Sequence, residues 1–356
     1  MNLYQSNLYI SDLDYVIENL DILNDMRGSS VLIIGARGLI CSAIADILFR
    51  YNEKADAGIH IYLAGRDSAK IKSRFSRYAD SEYLKVLEYD SDKQGDLISK
   101  LPNEISYIID GIGPSSPGDI NSYPLTSLYT NVALLKDLLQ YADSAHIKGL
   151  LYISSSEVYG TRPEGGPFKE DDYGWIDILS PRSSYACGKR SCETLCACFS
   201  KEKNVRALIA RPGHVYGPTA RTDDDHIASA FALEAAKGHD LNMNSPGLQR
   251  RSYCYMLDCA SAMLTILDKG MSGNAYNISN PESVLSIYGM MSQFADAAGV
   301  NLSISIDDKK NRAGDNPMPD SSLDSDKLLS LGWKGLFDAG EGAGHTIRIL
   351  KEAMQS

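Results

Sequence analysis

The chain has 356 residues, 44% of them hydrophobic and 23% charged, with a formal net charge of -11 at pH 7. That length buries a substantial core in one large α/β unit or in two domains, and the composition is that of an ordinary soluble globular protein. The acidic excess argues against a nucleic-acid surface, which needs basic clusters, but it leaves room for a phosphate-bearing small molecule held by a few arginines and helix N-termini.

The first residues, MNLYQSNLYISDLDYV, carry no basic segment ahead of an apolar one, so no signal peptide is expected. No run reaches the roughly 18 apolar residues of a membrane span, so no membrane contact is expected. The seven cysteines, four of them crowded into 187–198, suit buried thiols on a helix better than a disulfide framework. They point to a reducing cytoplasm. Cys192, Cys196 and Cys198 lack the His or second Cys pair of a zinc site, and no metal is expected.

Residues 11–27 read as an acidic amphipathic helix with Ser11 as N-cap, an N-terminal extension over 1–28. SSVLIIGARGLICSAIADILFR then gives an apolar strand, a glycine turn and a helix with Ile40, Ile44, Ile47 and Leu48 on one face. IHIYLAGR, YLKVLEYD and ISYIIDGIG read as the second to fourth strands, and SLYTNVALLKDLLQYA as a helix. GLLYISSSEVYG is a fifth strand with its loop, YACGKRSCETLCACFSKE a helix, and VRALIARPGHVYGP a sixth strand with its loop. Strands alternating with helices predict a Rossmann-type doubly wound parallel sheet, α/β in class, over 29–214. Beyond 215 the alternation weakens. A smaller substrate domain over 215–356 is expected there, with a segment near 252–280 returning to the first domain.

Two stretches carry the chemistry. Gly35-Ala-Arg37-Gly38-Leu39-Ile40-Cys41 lies where the first strand meets a helix N-terminus. Gly35 makes the tight turn, and Gly38 lets backbone N–H groups approach a pyrophosphate. Cys41 replaces the third glycine of the usual fingerprint. Arg66 ends the second strand where an acid would hold the ribose of NAD, so NADP is admitted beside NAD, with Asp67 one place late for the acid's role. Asp90, ending the third strand, is a candidate for the adenine amine. The second stretch pairs YISSSEVYG (152–160) with SSYACGK (183–189). Tyr185 and Lys189, four apart, share one helix face. A nearby ammonium together with a positively charged nicotinamide favours the phenolate, giving a base for a sugar hydroxyl, and Ser155 can bond the same oxygen.

The chain resembles the extended short-chain dehydrogenase/reductases that modify nucleotide sugars, and within them UDP-glucuronate decarboxylases, from the glycine turn to about residue 260. GPSSPGDINSYP (113–124) is similar to the loop those enzymes place over nicotinamide and sugar, SSSEVYG to their Ser/Thr-Ser-Glu-Val-Tyr-Gly, SPRSSYACGKRSCETLC to their catalytic helix, and QRRSYCYMLDCASAM to their phosphate-binding strand. The resemblance implies that Ser155, Glu157, Tyr185 and Lys189 are catalytic, with Lys189 also on the cofactor ribose. It implies that Ser115, Ser116, Ser156, Arg182 and His214 lie on the substrate side, with Arg251 on the nucleotide phosphate and Arg312 near the sugar carboxylate. His214 stands where the family commonly has an Asn. A homodimer is implied too, through helices that here hold Leu134, Leu138 and Cys192.

The reaction class follows from the acids present. Oxidation at C4 of a uronic acid makes a β-keto acid that loses carbon dioxide, with Glu157 or Arg312 governing reprotonation. The 4,6-dehydratases of the family use an Asp-Glu pair, and Ser156 stands at the Asp position. A 4-epimerase needs no extra acid and is the alternative. A one-way reductase and a non-catalytic nucleotide-binding scaffold are further readings.

Overall fold

The computed structural model describes residues 1–91, 93–113, 117–305 and 318–355. In chain order the strands begin with β1 (Ser30–Ile34), β2 (His60–Gly65), β3 (Leu84–Glu88), β4 (Tyr107–Asp110), β5 (Gly149–Ile153) and β6 (Ala207–Pro212). They continue with β7 (His214–Tyr216), β8 (Leu241–Met243), β9 (Arg250–Tyr255), β10 (Ala275–Ile278), β11 (Val284–Ser286) and β12 (Leu302–Ile304).

Seven strands form one sheet in the order β10-β6-β5-β4-β1-β2-β3, every neighbouring pair parallel. The residues of β4 and β5 are buried throughout, as strands sandwiched between helical layers must be. Helices Leu39–Ala55 and Met256–Lys269 pack together on one face. Helices Pro124–Ala145 and Ser184–Lys203 pack together on the other. This is the doubly wound α/β sheet that the alternation predicts. Strand order reverses between β1 and β4, which opens a crevice at their carboxyl ends.

Three differences from the sequence reading have local causes. The N-terminal helix is Asn7–Glu18, not 11–27, because Ser6 accepts the Tyr9 N–H while the Ser11 hydroxyl bonds the Asn7 carbonyl inside the helix. A second short helix, Ile22–Asp25, follows. The sixth strand ends at Pro212, which has no N–H to donate. Gly213 then passes so close to Ser252 that a side chain there would strike its carbonyl. The following residues become β7, in a separate three-stranded sheet ordered β11-β9-β7. Finally, Leu138 and Cys192 have no solvent exposure and fill the core of their own chain, so any face these helices offer a second copy lies elsewhere on them. On the Pro124–Ala145 helix the exposed apolar residues are instead Leu125, Leu128 and Tyr129.

The chain after 215 is also more regular than expected. Met256–Lys269 packs against β5 and β6, and β10 pairs in parallel with β6, while β9 stays in the three-stranded sheet. The closing helix Ala339–Met354 begins with a capping box, Asp338 accepting the Glu341 N–H and Glu341 accepting the Asp338 N–H. Among the described residues no helix is long and apolar enough to cross a membrane.

The N-terminal segment is tied down by a buried charge. Tyr4 and Tyr9 both donate their hydroxyls to Asp46, which has no exposure, and Arg74 pairs with the same carboxylate. Burial, then the Asp46 charge, holds both phenols well above their ordinary range, so they stay donors. Asp46→Ala removes the only anion of that cluster and leaves Arg74 without its partner. We expect a loss of about 3–5 kcal/mol in urea unfolding, with earlier proteolysis of the first residues. A change below about 1 kcal/mol would mean the segment is held by its apolar face alone.

Candidate active site

The glycine turn sits at the crevice between β1 and β4. Gly35 has φ +74°, and a Cβ on it would lie 2.6 Å from the Gly111 carbonyl oxygen at the end of β4. Only glycine permits both that conformation and that approach. Gly38 is the N-cap of Leu39–Ala55, in extended backbone, and its N–H is taken by Gly35 O at 2.8 Å. The first-turn N–H groups that follow have no intrahelical acceptor, and no acid stands in that turn to fill the positive end.

Cys41 fits where the fingerprint has glycine because its neighbour gives way. Its sulfur occupies the space a side chain on Gly111 would need, and its thiol donates to Ile34 O at 3.4 Å. Burial, then nearby Asp110, pushes that thiol up to about 12, so it is inert packing. Arg37 is half-buried beside the turn, and Arg66 is exposed just past β2. Asp67 is not available as a late ribose acid: it caps Ser68–Arg74 through the Lys70 N–H and pairs with the Lys70 ammonium at 3.1 Å. Asp90 is exposed beyond β3, its N–H donating to Asp96.

The cluster after β5 divides its hydroxyls between jobs. Ser154 is buried and donates to Glu193 at 2.6 Å, and Glu193 is paired with Arg211 at 2.6 Å in a nearly buried ion pair. It is structural. Ser155 is the N-cap of the turn Ser156–Tyr159, accepting the Glu157 N–H at 3.1 Å, and it stands beside the Tyr185 phenol, favouring its ionised form. Lys189 is buried, donates to Ile153 O at 2.7 Å, and lies 5.7 Å from the centre of the Tyr185 ring. Glu157 and Arg182 form a bidentate pair, both bonds 3.0 Å, on the half-exposed side of the phenol.

These contacts bring Ser155, Glu157, Arg182, Tyr185 and Lys189 into one place. Around Tyr185, burial and then the Glu157 carboxylate hold the phenol above its ordinary value, opposed by Ser155 and Arg182. Without a cofactor cation beside it the phenol is protonated at neutral pH.

His214 and Arg251 stand together on the second sheet, on neighbouring parallel strands. Arg251 is buried, with Nη1 donating to Arg250 O at 2.7 Å and Met318 O at 3.2 Å. Surrounding protein, then Arg251 and His226, push the His214 pKa down to about 4. His214 is itself exposed, and the Arg251 guanidinium opposes its protonation. Ser115, Ser116 and Arg312 lie outside the described residues.

The residues present fit a dinucleotide. The turn offers free N–H groups beside a glycine cradle, and the buried Asn131 Oδ1 beyond β4 has no hydrogen-bond partner of its own. Asn131 lies against Gly113, again where a side chain would not fit. Neither Asn131 nor Asp110 is singled out by the sequence reading. Asp110 carries a signal that could have found it, an acid closing the apolar strand Tyr-Ile-Ile-Asp.

The fold has relatives among known proteins. The NAD dependent epimerase/dehydratase family matches residues 31–279. The chain belongs to that family. A UDP-glucuronic acid decarboxylase 1 from Xenopus tropicalis is 26% identical over 94% of this chain and 75% of its own length. A UDP-glucuronic acid decarboxylase 3 from Arabidopsis thaliana is 27% identical over 88% of this chain and 86% of its own. Among solved structures, the UDP-glucose 4-epimerase of Thermotoga maritima with UDP-glucose superposes with TM-score 0.77 at 19% identity, covering 91% of this chain and 99% of that one. The UDP-glucuronic acid 4-epimerase of Bacillus cereus, solved with UDP-glucuronic acid and NAD, gives 0.71 at 21%, covering 91% and 99%. At those identities the superpositions establish the fold.

The family's third glycine has its space supplied here from β4, and that exchange can be tested. Gly111→Ala forces a methyl onto the Cys41 sulfur and should cost about 1–3 kcal/mol of stability. Adding Cys41→Gly should return part of the loss, a coupling of about 0.5 kcal/mol or more in a double-mutant cycle. Strict additivity of the two changes would show that the two positions do not share one space.

Proposed function

We propose that the chain is an NAD-dependent nucleotide-sugar enzyme that oxidises a sugar transiently at C4, and that its reaction is decarboxylation of UDP-glucuronate or a related nucleotide-linked uronic acid. The observation that carries this reading is the convergence of Ser155, Tyr185 and Lys189 with the Glu157–Arg182 pair at one strand end. The family and the names of its decarboxylase relatives support it.

In this reading Gly35, Arg37, Gly38, Leu39 and Ile40 hold the dinucleotide pyrophosphate, with Arg66 and Asp90 toward the adenosine. A nicotinamide cofactor bound there would supply reversible hydride chemistry for the sugar. Tyr185 takes the C4 hydroxyl proton and Ser155 bonds the same oxygen, so the charge that develops on it is met by fixed donors. The unloaded phenol is protonated, and a cation arriving beside it acts against burial and Glu157. Lys189 keeps its charge under that ring. Arg182, with Ser156 and His214 nearby in sequence-derived role, serves the sugar. Arg251 serves the nucleotide phosphate, and Ser115, Ser116 and Arg312 complete the substrate side. Residues 29–214 make the cofactor domain and most of 215–356 the substrate domain, in a cytoplasmic homodimer.

One observation favours the 4-epimerase reading instead. Glu157 is locked to Arg182 by two bonds, whereas a decarboxylase needs it, directly or through water, for reprotonation at C5. A substrate carboxylate competing for Arg182 would release it. Incubation with a panel of nucleotide sugars, products read by mass, separates the cases. Loss of carbon dioxide from UDP-glucuronate is expected; loss of water means dehydration, and unchanged mass with inversion at C4 means epimerisation.

Tyr185→Phe removes the only ionisable oxygen of the pair and should lower turnover by about 10²–10⁴-fold with cofactor affinity nearly unchanged. Near-native turnover in that variant would mean another group is the base.

A further inference from the structure

β4 ends in a charge that the fold does not need. All four of its residues are buried, and Asp110 has no solvent exposure. Its Oδ1 accepts the Ile112 N–H at 3.1 Å, and its Oδ2 has no hydrogen-bond partner among the described residues. A turn that needs one acceptor is served as well by a neutral amide. A buried carboxylate with an idle oxygen is costly unless a charge offsets it.

The titratable groups around Asp110 come from every neighbouring element. Cys41 faces it from the Leu39–Ala55 helix, Tyr89 from beyond β3 and Tyr152 from β5; Lys189, Cys192 and Cys196 face it from Ser184–Lys203. Burial pushes the thiols and phenols among them upward, so all are neutral near pH 7. Asp110 pairs in register with Tyr152 on β5, the ring that carries the one cation of the set among the described residues, Lys189. Its ammonium sits over the Tyr152 ring, 4.8 Å from the centre, as well as near Tyr185, and its direct partner is a neutral carbonyl.

We propose that Asp110 is a positioning residue for the reaction, its carboxylate the buried countercharge that keeps Lys189 an ammonium beneath Tyr185. Asp110 touches neither substrate nor the reacting oxygen; it acts through Lys189.

Burial moves the two groups in opposite senses. It lowers the Lys189 pKa, which Asp110 opposes, and it raises Asp110 to about 6, which the Ile112 N–H and Lys189 oppose. As pH falls through about 6 the carboxylate takes a proton and its support for the ammonium is lost. The sign for stability is the reverse. The folded pKa lies above the unfolded carboxylate value of about 3.9, so the folded state binds more protons in that window. Stability from this group is present below about pH 4 and is lost as pH rises through about 6.

Asp110→Asn tests the proposal because it keeps the shape and the acceptor for Ile112 and removes only the charge. Near neutral pH its turnover should fall about tenfold, the effect of a one-unit shift in a group that must be charged, with the Michaelis constant within about twofold. The acid limb near about pH 6 should flatten. Its melting temperature should gain on the parent as pH rises from about 4 to about 7, which also shows that it folds. A readout without substrate keeps this separate from the proposed reaction. The Asp110 carboxyl ¹³C resonance, assigned by its absence in Asp110→Asn, should titrate near about 6 and move upward in Lys189→Met. A midpoint near the ordinary carboxylate value of about 3.9, or one unmoved by Lys189→Met, overturns the pairing. A parental pH profile in Asp110→Asn overturns the role in turnover.

Discussion

One hydrogen bond fixes the geometry on which the site depends: the Lys189 ammonium to the Ile153 carbonyl at 2.7 Å. It joins the Ser184–Lys203 helix to the last residue of β5, and both residues are buried. Once it is made, Tyr185, one turn earlier on the helix, must face the residues that follow β5. Ser155 then meets the phenol, and Glu157 meets Arg182 from the segment leading into the same helix. A charged donor is worth about 1.5–3 kcal/mol in such a bond, and its loss would leave a buried cation unpaired.

The same requirement shapes the surroundings. Polar groups at the carboxyl ends of the sheet are buried, so each needs a partner. Ser154 finds Glu193, and Glu193 finds Arg211, whose guanidinium also reaches the Tyr159 hydroxyl and the Glu170 carbonyl. That network braces the catalytic helix from behind, where a removed partner would cost far more than an exposed pair. The Glu157–Arg182 pair is half-exposed, worth about 0–1 kcal/mol, and therefore exchangeable for a ligand's charges. Strong pairs hold the site and a weak one faces the crevice.

Much of this was legible in the sequence for a simple reason. Runs such as VLII, YIID and GLLYI are apolar without alternation, which only a doubly covered parallel strand tolerates, and glycine pairs mark the turn between strand and helix. The cluster after the fifth strand stood out because hydroxyls and an acid have no place in a core. What stayed hidden was set by tertiary contact. Nothing local tells Ser154 from Ser155; the first turns inward to a glutamate on a helix 39 residues away. Ser11 and Ser6 are equal cap candidates until the helix docks. Cys192 is buried as the crowded thiols suggest, and Leu138 is buried with it because those two helices pack on each other and on the sheet. Spacing placed a Lys beside the Tyr without showing that burial and the Glu157 carboxylate hold the unloaded phenol above its ordinary value.

The central claim is that one cofactor takes a hydride from the sugar and gives the same hydride back before product leaves. UDP-glucuronate carrying deuterium at C4 tests it most directly. The account predicts a product that retains the deuterium at C4 and no accumulation of free reduced cofactor. Deuterium lost to solvent, or found in released dinucleotide, would contradict it.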